Sequence, residues 1–337
     1  MVQFIWLMNT TDPQVLPAPP SLMKALMAGF DAISNHVGLI IFPVVLDLFL
    51  WLGPHIQIFS LIRSFFNQAG ILQEMQAPET ADMMKATRDA WLGLAEHFNL
   101  LSLLRSYPVG IPSLMVTRAP VSGPNGGPVV WEASSWLLVI GLWVVLSLIG
   151  LLAGSYYFSL VGQAALNHEV QWGLSLQQWP WTALQVILLA LFWLALLIGV
   201  SIPFSCLLSL AFVAGAGVGG FGFLIFGGLL AWLLFPLVFS PHGIFVYRQK
   251  MWASVKEGVR LTRLTLPSTG LFLLIVLLLS EGLDLLWEVP AESSWFSLVG
   301  VAGHAFITTG LLAASFVYYR DADRWVHRML QQAKMSS

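Results

Sequence analysis

The chain has 337 residues, 57% of them apolar and only 9% charged, and its mean hydropathy is +0.79. Soluble domains carry roughly 45–50% apolar and 25% charged residues, so a water-soluble core is excluded and the chain reads as an all-α, polytopic membrane bundle. The lone cysteine, Cys206, excludes a disulfide framework or thiolate metal site; the net charge of −2 is uninformative as a whole, and no nucleic-acid partner is expected.

Residues 1–20 hold a short apolar run and a Pro-rich stretch, with the first lysine at Lys24. Without a basic leader, no cleaved signal peptide is expected. Ser21 is placed to cap a helix with Leu22, Leu26, Phe30 and Ile33 on one face and Lys24, Asp31 and Asn35 on the other. That pattern predicts an interfacial helix feeding a first span over 37–58, close to the ~20 residues that cross the hydrocarbon.

Residues 59–134 are the longest segment outside the spans. Met84, Trp91, Leu94, Ala95, Phe98 and Leu101 recur at helical spacing, which predicts an amphipathic helix over 81–104. A Pro/Gly-rich loop follows at 119–128. The segment is too apolar for a free linker and is expected to fold onto the bilayer or the bundle mouth.

Further spans are expected at about 135–158, 181–202, within 204–239, at 266–287 and at 295–319, six in all. Residues 159–178 between the second and third are polar but lack Lys and Arg. Gly215 and Gly219 form a small-xxx-small pair that suits close helix contact; the glycines there equally suit a turn, leaving the third and fourth spans without a fixed boundary. Arg248, Lys250, Lys256, Arg260 and Arg263 crowd a basic elbow within 241–265, and a second basic cluster follows residue 319. Cations accumulate on the cytoplasmic side, so both clusters and the N-terminus are expected inside, in a prokaryotic cytoplasmic membrane, with 59–134 outside. Elbows at 21–36 and 248–264 each precede a hairpin of spans, and 159–180 reads equally as a third copy or as no repeat at all.

The elbow Lys256-Glu-Gly-Val-Arg260-Leu-Thr-Arg263, running straight into an apolar span, resembles bacterial six-helix membrane proteins similar to the membrane domain of glycerophosphodiester phosphodiesterases. Nothing resembles the catalytic barrel of those enzymes. The resemblance implies a membrane module without a carried-over activity or functional residues.

Ionisable groups at membrane depth cost several kcal/mol and face protein or water. Glu281, Asp284 and Glu288 are spaced to share a helix face, and His304 lies at a depth similar to Glu281. Asp47 reaches the same outer half from the first span. Such a carboxylate–histidine set suits a proton relay or a bound cation; the plainer alternative is Glu281 and His304 satisfying one another. The five basic elbow residues suit anionic headgroups at ~1 kcal/mol each, or simple topology signalling. No catalytic or metal motif occurs, and no cofactor is expected. The expected partners are membrane lipids and a second membrane protein. The function expected from this reading is a non-enzymatic structural, accessory or lipid-facing module, with a transporter through the polar cluster as the alternative.

Overall fold

The computed structural model describes residues 19–68, 78–213 and 219–335; expectations for residues 1–18, Gly215 and Gly217 lie outside them. Five helical stretches are long and apolar enough to cross a membrane: α6 (Trp136–Asn167), α7 (Trp172–Val213), the run Leu224–Tyr247 through α8 (Gly219–Leu234) and α9 (His242–Tyr247), α11 (Leu266–Trp287) and α12 (Ser297–Met335). A sixth arises if α1 (Leu22–Asn35) and the helical run Val37–Leu52 are counted as one span bent by 91°. Lipid offers no hydrogen bonds, so an apolar run must satisfy its backbone internally. That constraint keeps α7 helical through Pro180 and Pro203. The chain is a multi-pass, all-α membrane protein.

The bent entry is built from its residues. Ser21 Oγ accepts from Lys24 N at 3.5 Å, and α1 then buries Ala25, Leu26, Gly29, Ala32 and Ile33 while Lys24, Asp31 and Asn35 stay exposed. At His36 the ring closes back on Ala32 O at 3.0 Å, a short 3-10 turn comes next over Val37–Ile40, and α2 (Ile41–Leu52) leaves in a new direction. Twelve residues rise about 18 Å, short of the ~30 Å hydrocarbon. The expected straight span over 37–58 is therefore corrected. Gly53-Pro54 ends the helix, and residues His55–Gln57 form strand β1, paired in parallel with β2 (Val130–Glu132).

α12 is the central element. Ala305, Ala313, Ala314, Phe316 and Tyr318 are among its buried residues, and α1 crosses it at backbone contact. A Cβ on Gly29 would stand 2.6 Å from Ala314 Cα. The helix does not end with the span expected over 295–319: Tyr318 and Tyr319 are fully buried, and it continues to Met335. Tyr318 stacks on Phe272 with ring centroids 4.3 Å apart, and its hydroxyl reaches Ser268 and Thr269 at 3.2 Å each. A buried tyrosine is stable there because its polar tip is satisfied.

The segment 59–134 departs furthest from expectation. α3 (Phe59–Gln68) and α4 (Pro78–His97) precede a 3-10 turn at Leu100–Leu104, so the helix expected to reach 104 stops at His97. Asn99 breaks it by capping the turn, its Oδ1 accepting from Leu101 N and Ile56 N at 3.1 Å each. The chain then enters the bundle beside α6 before α5 (Leu114–Arg118). Gly150 and Gly154 make the room: a Cβ would stand 2.6 Å from Ser106 Oγ at the first and 2.8 Å from Gly110 Cα at the second. Gly150 lies about 21 Å along α6 from Trp136, so residues 104–112 form a re-entrant segment beside α6, with Ser106, Val109 and Ile111 buried and Tyr107 exposed.

Residues 159–178 are not an extended polar loop. α6 continues to Asn167, burying Leu160, Val161 and Ala164, and His168 turns the chain in the left-handed region (φ 57°) before α7 begins at Trp172. A third separate elbow helix is absent there. The elbow α10 (Met251–Leu264) does form, burying Met251, Val255, Gly258 and Leu261.

Candidate functional site

The structure divides the expected polar cluster. Asp47 on α2 is completely buried, and its carboxylate accepts from Ser113 Oγ at 2.5 Å, Met115 N at 3.0 Å and Leu114 N at 3.2 Å. It is the anchor that docks the start of α5, at the foot of the re-entrant segment, onto the bundle. His304 on α12 meets Asp284 on α11, with Nδ1 and Oδ1 2.7 Å apart and both side chains largely buried. Asp47 lies within electrostatic reach of His304, so these three residues do gather. Glu281 does not join them: it is exposed, and none of the described residues bonds to its carboxylate. Glu288 is half-buried and likewise stands apart from His304. The expected Glu281–His304 pair is thus corrected to Asp284–His304. The rotation of α11 points Asp284 at α12 and turns Glu281 outward.

Beside this seam a clamp closes the turn between α11 and α12. Arg118, at the end of α5, donates to Pro290 O and Ser297 Oγ and lies 3.8 Å from Glu292 Oε1. Trp51 Nε1 donates to Glu292 O at 3.0 Å. The re-entrant unit therefore ties α2 to the α11–α12 turn.

A second polar region, not anticipated from the sequence, lies in the C-terminal part of α12. Tyr247 donates to Asp323 Oδ2 at 2.8 Å, and His242 Nε2 lies 2.9 Å from Ser315 Oγ. Glu257 on α10, Asp323 and His327 bring ligand-type atoms within 4.8 Å of one another. Tyr319 is fully buried within electrostatic reach of Asp323 and Glu257. Asp323 and His327 carry an i,i+4 signal on one helix face, visible in the sequence only if the helix is taken past Tyr319.

A third feature is lateral. Arg105, Ser106, Trp143, Leu148, Leu191 and Leu194 help line a groove of about 340 Å³ between α6, α7 and the re-entrant segment. Arg105 Nη1 donates to Ser113 O and Thr117 Oγ1, both at 3.2 Å. No carboxylate among the described residues pairs with it, and Nε and Nη2 have no acceptor there. Ser106 Oγ, nine-tenths buried, likewise has none. The basic elbow residues Arg248, Lys250, Lys256, Arg260 and Arg263 are all exposed. Arg248 stands 5.5 Å over the Trp181 ring.

No family model, curated protein or solved structure matches the chain. Function is therefore argued from these groups alone.

Proposed function

We propose that the protein is a non-enzymatic, lipid-facing membrane module whose α6–α7 groove receives an anionic amphiphile from the bilayer. The supporting observation is Arg105: a cation set among apolar side chains, with no carboxylate beside it among the described residues. A guanidinium offers its donors as a planar fork that matches phosphate or carboxylate, and the walls formed by Trp143, Leu148 and Leu191 suit an acyl chain. In this reading the exposed elbow cations and the tail sit on the cytoplasmic face of a prokaryotic inner membrane. The exposed Phe221, Leu224 and Trp232 of α8 are left for lipid or a partner membrane protein.

The test is native mass spectrometry of the full chain released from micelles doped with phosphatidylglycerol or phosphatidylcholine. The wild type should retain phosphatidylglycerol and not phosphatidylcholine, and Arg105→Gln should cut retention about tenfold, the equivalent of one charge-assisted contact of ~1.4 kcal/mol. Equal retention by the variant would remove the groove from consideration.

A transporter reading draws on one observation: the buried face of α12 carries polar side chains from His304 through Thr309 and Ser315 to Asp323. Those rungs are separated by packed rings, including Phe316 and the Phe272–Tyr318 stack, which favours the sealed module. Proteoliposomes loaded with a pH dye separate the two. The module predicts that His304→Ala leaves proton leak at the wild-type rate. A path along α12 predicts loss of a flux present in the wild type.

A further inference from the structure

The C-terminal part of α12 holds more polar oxygen than its protein surroundings satisfy. Five polar atoms in this region lack a hydrogen-bond partner although buried: His242 Nδ1, Gln249 Oε1, Glu257 Oε1, Tyr319 Oη and Asp323 Oδ1. Buried polar groups are nearly always bonded to protein, water or an ion, and a buried carboxylate without compensation is costly. Asp323 is 7% exposed and Tyr319 is fully buried. Apart from His327, whose Nδ1 lies 3.3 Å from Asp323 Oδ1, the nearby cations do not account for the deficit. Arg260 is 3.8 Å from Glu257 Oε1, beyond hydrogen-bond reach, and half exposed. Arg320 turns to Asp321 at 2.9 Å.

We infer that Glu257, Asp323 and His327 bind one divalent transition-metal cation of the Zn²⁺ or Mn²⁺ class, joining the elbow α10 to the C-terminal part of α12. Two carboxylate oxygens and one imidazole nitrogen form a borderline donor set, favouring Zn²⁺ or Mn²⁺ over Mg²⁺ or Ca²⁺, which prefer oxygen alone. Asp323 and His327 stand one turn apart on α12, with Oδ1 and Nδ1 already 3.3 Å from each other. Ligand atoms around a tetrahedral zinc ion sit about 3.4 Å apart, while the set here spans no more than 4.8 Å. A shift of up to about 1.4 Å closes it, and the His327 side chain, 54% exposed, makes it by turning its Nδ1 from the Asp323 carbonyl 2.9 Å away. Tyr319, fully buried and with its hydroxyl unpaired, lies within electrostatic reach of the same carboxylates. The two helices joined are the basic elbow and the central helix, so the ion would fix the elbow's angle to the bundle. This inference does not depend on the lipid groove.

The experiment titrates ZnCl₂ calorimetrically into the chelator-treated, full-length protein in detergent, with MgCl₂ as the comparison. One equivalent of Zn²⁺ should bind, millimolar Mg²⁺ should not displace it, and the melting temperature should rise with occupancy. His327→Ala, at an exposed position that leaves the fold intact, should weaken binding at least tenfold. Glu257→Gln should do the same, and Asp323→Asn should abolish it. If Asp323→Asn does not fold, His327→Ala and Glu257→Gln decide the matter. Absence of stoichiometric Zn²⁺ uptake by the wild type, or undiminished uptake by His327→Ala, would overturn the assignment.

Discussion

Asp47→Ala is expected to cost about 3–5 kcal/mol, the scale of losing one partner from a buried charge-assisted network. The carboxylate takes three donors at once, and two are backbone N–H groups at the first turn of α5. Removing it strands those donors in a dry site that nothing else on α2 reaches. Asp47→Asn should fall between, since an amide has one acceptor oxygen and offers its own N–H groups to donors. Ser113→Ala should cost less, and the double variant Asp47→Ala/Ser113→Ala should cost less than the two single losses added, because one contact is counted in both. Denaturant-induced unfolding of the detergent-purified chain, followed by tryptophan fluorescence, would read these differences. An Asp47→Ala protein as stable as wild type would show that α5 docks by some other means.

Gly29→Val should be at least as damaging. A Cβ there meets Ala314 backbone atoms, not the tip of a flexible side chain, so relief requires α1 and α12 to separate. Overpacking usually costs ~1–3 kcal/mol where side chains can yield, and backbone against backbone lies beyond that range. The expected outcome is a collapse in the yield of monodisperse protein on size-exclusion chromatography. Gly38→Ala is the matched control: a Cβ at Gly38 meets nothing within 4 Å, and its elution profile should be unchanged. If both variants purify alike, the crossing at Gly29 does not hold the bundle together.

The membrane class was legible because hydropathy is a sum over many residues, and single misplacements do not disturb it. Helix ends were less so. The apolar tally stops at Tyr319, yet α12 continues through Asp321–Arg328 because Ala322, Asp323 and Val326 stay buried against the bundle while Arg324, His327 and Arg328 are exposed. The candidate cluster was half legible. Spacing put Glu281, Asp284 and Glu288 on one side of α11, but which edge of that side meets α12 depends on helix rotation, and rotation is set by packing such as Trp287 against Gly303. Asp47 stood out as a buried charge, while its partners were hidden in residues 113–115, which reach it only because the chain re-enters the bundle. Arg105 was concealed for the same reason: in sequence it is one of several balanced charges, and its depth is a property of the fold.

The face-to-face seating of α1 on α12 has a consequence for biogenesis. These are the first and last described helices, so during translation the early one waits beside the insertion machinery until nearly the whole chain has emerged. Contacts of such long sequence separation form late. The half-built bundle would meanwhile present Gly29 and its small neighbours as an unfilled slot. Arresting synthesis before residue 314 should therefore leave α1 open to cysteine labelling, and releasing the full chain should protect it.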